Sequence, residues 1–353
     1  MNRTRTISFL CALLVATTLP TAGRDDPVSF SLDLQPFGYI VEKPGRMVTD
    51  STDLAFLSDD LLLVVLNQRE WKKAVEPSLT DAPPAKLLLF DLNTRKVLKT
   101  SLLNVEKTWN SVLAVNDKRF VLLNEAGLQL CSSDLRCGSP LRTSGPVFVS
   151  PRGTRIAVGG NAQTSQTLLD AKTLQQIDRF AWNKPSVIPG DSTLIVRYGE
   201  KLFVRAPGYE DRPLSFGGFG VWPDARFLND ETLSAFDYAS RSAVVGRLDG
   251  SILYRIPVKE PWNAEILSSA SGSRFCIHEF GYTRWNSIVN FLDIDNGRPA
   301  NLQTMRVFDV PSGKEVLHME WDPRPYVVNP ALSPSGHWLA AVQSGTLKII
   351  NVP

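Results

Sequence analysis

The 353-residue chain holds three histidines, four cysteines and four methionines, and its 38 Lys plus Arg are nearly matched by 36 Asp plus Glu. A net charge of +2 offers no bulk excess to hold nucleic acid or an anionic membrane by counterion release, and no Lys/Arg-rich block supplies one locally. So few histidines leave no His-x-x-x-His pair, no Cys-x-x-Cys-His haem attachment and no Cys/His cluster at zinc spacing. The expectation is therefore no nucleic-acid partner, no metal and no cofactor. Beyond the first 23 residues no run approaches the roughly 18 apolar residues of a membrane span. No window sustains an i, i+3, i+4, i+7 apolar pattern either, which removes helical bundles and coiled coils.

Residues 1–23 read as an address. Arg3 and Arg5 precede an apolar run from Ile7 to Leu19, and the small residues Thr21, Ala22 and Gly23 follow. That order of basic flank, short apolar block and small-residue exit is a signal peptide, leaving one domain over 24–353 in a secreted or periplasmic setting. Cys11 lies mid-run rather than at the exit, which argues against lipid attachment. In an oxidising compartment Cys131 and Cys137 are the natural disulfide across a short hairpin loop, and Cys276, in an alternating run, reads as a small buried thiol.

Short apolar or alternating runs punctuated by Gly, Pro, Asn, Asp and Ser fill the rest: Leu61 to Leu66, Lys86 to Leu92, Phe120 to Asn124, Thr193 to Tyr198, Ser242 to Leu248, Leu347 to Val352. The chain is all-β. Turns open at Ser58, Asn116, Ser150, Pro189, Asn229, Ser269 and Ser333, separated by 58, 34, 39, 40, 40 and 64 residues. A period near 40 is that of a four-stranded propeller blade, and the two long intervals mark insertions. A second turn recurs later in the units, at Asp91, Asp170, Asp249 and Asp309, where Asp caps the turn and Gly, where present, tolerates positive φ.

Ser-Pro-Ser-Gly-His-Trp-Leu-Ala-Ala-Val at 333–342 and Val-Phe-Asp-Val-Pro-Ser-Gly-Lys at 307–314 resemble the repeats of secreted bacterial WD-repeat-like and YVTN-type propellers. The resemblance covers nearly the whole mature chain and implies a seven-bladed β-propeller of four-stranded antiparallel blades. It departs from a true WD repeat in that Trp321-Asp322 follows the fourth strand rather than ending the third. That family hosts scaffolds, lyases, quinoprotein-like enzymes and binding proteins, so it implies no single activity. The last unit supplies only three strands, and Ser29 to Leu34 is expected to close the ring as its outer strand.

Trp109, Trp182, Trp222 and Trp262 each precede their turn by seven residues, and Trp321 precedes Ser333 by twelve. Strand parity puts these links on the same face as the loops between second and third strands, where both large insertions fall: Asn67 to Ala85, with Trp71, and Gly281 to Thr304, with Tyr282, Arg284 and Trp285. The rings read either as an aromatic cup for a protein or glycan partner or as packing wedges between blades. No catalytic set is assigned. His278 and Glu279 are strand neighbours pointing to opposite faces, His318 falls on an outer strand, and His337 follows a tight turn. The other reading is a lyase- or hydrolase-like enzyme using Tyr282, His278 or Arg284 at the central channel. Asp293 to Gly297 has half of a calcium loop without its closing glutamate, and Gly217 to Gly220 lacks the helix and the Lys-Ser/Thr of a phosphate loop.

Overall fold

The computed structural model describes residues 28–41, 46–50, 52–72, 84–103, 111–143, 145–159, 165–180, 186–198, 201–206, 210–214, 225–259, 261–282, 301–321 and 327–353. Residues 1–23, expected to be a signal peptide, lie outside them, as do Gly217 to Gly220 and Asp293 to Gly297.

Seven antiparallel sheets follow one another along the chain. Their inner strands are Asp53–Phe56, Ser111–Asn116, Val147–Val149, Ser186–Pro189, Arg226–Phe227, Ala264–Ser268 and Val327–Leu332, which open blades 1 to 7. Each inner strand lies against the next, and that of blade 7 lies against that of blade 1, so the sheets form a closed ring. Apolar side chains fill the junctions: Leu54, Phe56 and Val64 of blade 1 meet Ala340 and Val342 of blade 7, and Val115 and Leu123 of blade 2 meet Ile156 and Val158 of blade 3. These strands are apolar on both faces because each sheet is buried between two others. A fully buried Leu or Val adds about 1.5–3 kcal/mol.

The N-terminal strand behaves as the sequence implies. Val28–Asp33 pairs antiparallel with Thr346–Asn351 and forms the outer strand of blade 7, so both ends of the chain share one sheet. Blade 2 departs from the regular pattern. Its first three strands, Ser111–Asn116, Arg119–Asn124 and Gly127–Ser132, form a ladder, while its outer position is filled by residues 136–141 through two isolated bridges, Cys131–Cys137 and Leu128–Leu141. The expected disulfide joins Cys131 to Cys137, and Cys276 is a buried free thiol.

The recurrent turns are structural devices. In blades 3, 6 and 7 the turn serine accepts a hydrogen bond from the backbone N–H five residues on: Ser150 from Arg155, Ser269 from Arg274 and Ser333 from Trp338. The turns also bond to one another around the ring. Asp191 of blade 4 accepts from Ser150 Oγ, Thr154 Oγ1 and Arg152 N–H of blade 3. Ser271 N–H of blade 6 donates to Pro334 O of blade 7, and Ser335 N–H of blade 7 donates to Asp59 of blade 1. Gly153 is required: its φ is +65°, and a Cβ there would sit 1.7 Å from Val115 O of blade 2. The later turns are capped as expected, with Asp91 and Asp170 accepting from backbone N–H groups two and three residues on.

Candidate interaction face and channel mouth

The face opposite those turns carries the inter-blade links and the loops between second and third strands. Trp109, Trp182 and Trp222 fall in the links after blades 1, 3 and 4, outside the described residues, as do Arg284 and Trp285 in the blade 6 insertion. Trp262 lies in a 3-10 turn, Pro261–Asn263, in the link between blades 5 and 6. Trp321 ends the outer strand of blade 6, where its side chain is 4% exposed and packs with Met305 and Leu317 of its own blade and Leu339 and Ile350 of blade 7. The Lys348 ammonium sits 4.9 Å from its ring centre. For this ring the packing role applies, and the indole is closed to a ligand.

The two insertions leave blades 1 and 6, the neighbours of blade 7 on either side. In blade 1, Gln68–Lys72 continues past the second strand and pairs with Arg46–Asp50 as a separate two-stranded ribbon, with Trp71 opposite Met47. This ribbon has no counterpart in the sequence reading, which treats Asn67 to Ala85 as loop. Its base is anchored: Gln68 accepts from Ile40 N–H at 2.6 Å and donates to Ile40 O at 3.1 Å, closing both bonds of a strand-like pair with one side chain. In blade 6 the second and third strands, Arg274–Tyr282 and Asn301–Asp309, stay paired out to Tyr282 and Asn301. Tyr282 is thus a strand residue, and the insertion proper is 283–300.

The inner strands of blades 1, 5 and 6 begin with polar side chains at their link-face ends. Glu265, near the start of the blade 6 inner strand, is 40% exposed at its side chain and holds His278 Nδ1 at 2.7 Å. His278 is fully buried, with Nε2 3.2 Å from Gln303 Oε1. Its strand neighbour Glu279 points the other way, pairing with Arg306 at 2.6 Å and accepting from Lys259 N–H. Asp53 opens the inner strand of blade 1 and accepts from Ser111 Oγ and Val112 N–H of blade 2, both at 2.9 Å. Burial pushes the Asp53 carboxyl above the ordinary carboxylate range, and the charge of Glu265 adds in the same direction against the hydrogen bonds. Arg226, opening blade 5, lays its guanidinium 4.6 Å from the ring centre of Phe148 in blade 3, reaching past the blade between them.

The sequence alone does not single out Asp53, Ser111, Arg226 or Glu265. Their signal is a polar residue at the start of an otherwise apolar inner strand, two to four residues after the register tryptophan in blades 2, 5 and 6. Among the described residues no three His, Cys, Asp or Glu side chains converge as a metal site, and no helix is long and apolar enough to cross a membrane.

The fold is a seven-bladed β-propeller. It is similar to a chain in the crystal structure of the mitotic checkpoint complex, with a TM-score of 0.55 and 12% identity over 92% of this chain and 95% of that one. At that identity the likeness is one of fold alone. No protein-family model matches the sequence, and no curated protein matches it.

Proposed function

We propose that this propeller is a secreted or periplasmic binding module that captures a protein or glycan partner on the face of the inter-blade links. The observation that carries this reading is the shared position of the two insertions: each leaves its blade between second and third strands, and the blades are the two neighbours of blade 7. A rigid ring presenting long loops on one face is how scaffolds build binding surfaces. The Cys131–Cys137 bond fits an oxidising compartment. Trp71 and Trp285 are the aromatic anchors assigned to the partner, with Arg284 and Tyr282 beside them and Trp109, Trp182, Trp222 and Trp262 on the links. Replacing Trp71 and Trp285 with Ala abolishes partner capture and leaves melting unchanged on this reading. Capture that survives the double substitution, or loss of the fold, contradicts it.

One observation favours an enzymatic reading: a Glu265 carboxylate that reaches solvent on the link face, held at 2.7 Å by a fully buried His278. Its test is turnover of lyase and hydrolase substrates by wild type and by Glu265→Gln. Activity lost in the variant supports it, and no turnover by wild type removes it.

A further inference from the structure

In six blades the outer strand is a laddered strand; in blade 2 the same position is held by four backbone hydrogen bonds, by Gln129 Nε2 donating to Gly138 O and Ser132 Oγ to Arg136 O, and by one covalent bond. Ser132 N–H donates to Arg136 O, Gly138 N–H to Leu130 O, and Leu128 and Leu141 exchange both of theirs. Little apolar burial backs these bonds. Residues 136–142 are exposed, Leu141 included, and Leu135 is the one apolar side chain of the segment packed on the core. Leu135 sits at φ +65°, a left-handed conformation that costs a leucine roughly 1–2 kcal/mol. The disulfide is the covalent tie of a strained, exposed segment whose other ties to the blade are hydrogen bonds, Ser133 N–H to Lys118 O among them. The two sulfurs are also unequal in setting: Cys131 is buried in the junction with blade 1, while Cys137 belongs to the exposed segment.

We propose that the Cys131–Cys137 disulfide is a redox latch, and that its reduction by a dithiol of the thioredoxin class frees residues 133–143 and bares Gly127–Ser132 as an open strand edge. The chemistry balances within the two partners. One thiolate of the dithiol attacks Sγ of Cys137, the Sγ–Sγ bond breaks, and Cys131 leaves as a thiolate that takes up a proton. The second thiol of the reductant then attacks the mixed disulfide and releases Cys137, so that the dithiol is oxidised to its disulfide and both cysteines become thiols. The backbone groups of Leu128, Leu130 and Ser132, which now meet residues 136–141, then face solvent as a template for an added strand. This inference is independent of the binding face, because the edge lies on the outer rim.

The test is hydrogen exchange on the folded protein with and without dithiothreitol, with alkylation and peptide mapping to confirm that Cys131 and Cys137 become labelled only after reduction while the buried free thiol of Cys276 stays unlabelled. The expected result is a rise of about 100-fold in exchange at Leu128, Ser132, Gly138 and Leu141, with the other six blades unchanged and the melting temperature lowered by less than about 5 °C. Unchanged exchange at those amides overturns the proposal, because the hydrogen bonds then suffice. Exchange rising throughout the ring also overturns it, because the bond is then a global staple. Cys131→Ser/Cys137→Ser repeats the measurement without reductant; the reduction of wild type stands whether or not that variant folds.

Discussion

The Nδ1 of His278 lies 2.7 Å from the Glu265 carboxylate, across two neighbouring strands of blade 6. The imidazole is buried and the carboxylate reaches solvent, so the histidine fixes the direction in which an exposed acid points. Removing the ring leaves a cavity and strips Gln303 of a partner. His278→Ala is expected to cost about 2–4 kcal/mol in urea unfolding, whereas Glu265→Gln, which retains an acceptor, costs under about 1 kcal/mol. Equal losses from the two would contradict this division of roles.

Asp53 makes the same region sensitive to pH. Its folded pKa is raised above the unfolded value, so its contribution to stability is fully present below the unfolded pKa, near 3.9, and is lost as pH rises through the folded one. Asp53→Asn removes that titration while keeping an acceptor for Val112. The stability of wild type minus variant is therefore expected to be greatest near pH 4 and to fall towards pH 7. Chemical denaturation across that range reads it; a flat difference, or one that grows with pH, contradicts the assignment.

The closing strand should be indispensable. Val28–Asp33 completes blade 7, and Leu34 just after it is fully buried, its N–H bonded to Gly345 O. Deleting residues 24–40 is expected to remove most of the folded yield, and Leu34→Ala to cost about 2–4 kcal/mol. A truncated chain that melts cooperatively near the wild-type temperature would show that the ring closes without it.

The turn face supplies an independent check of the ring. Asp191→Ala breaks three bonds between the turns of blades 3 and 4 and is expected to cost about 1–3 kcal/mol, with Asn in its place recovering part. A loss below about 0.5 kcal/mol would mean that these turns are positioned by the junctions alone.

What sequence revealed and what it did not follow one physical line. The turn serines at 150, 269 and 333 recur because each makes the same local bond, and the alternation of Ser29 to Leu34 marks a strand wherever it pairs. Local rules write such features into the chain. Asp53 and Glu265 lie 212 residues apart, in blades 1 and 6, and the charge of one acts on the other only in the closed ring, so no spacing reveals them. The Arg46–Asp50 ribbon pairs residues that straddle the first hairpin of blade 1, and the Trp321 register fits a cup or a wedge equally until blade 7 is seen to bury it.

Photo-crosslinking tests most directly whether one face of the ring takes the partner. A crosslinking residue is placed in turn at Ser78 and Asn290, within the two insertions, and at Lys118 and Asp230, on the opposite turns. The prediction is one shared partner adduct from Ser78 and Asn290, none from Lys118 or Asp230, and loss of that adduct when Trp71 and Trp285 are replaced by Ala. Adducts arising from the turn face, or surviving the loss of both tryptophans, would contradict it.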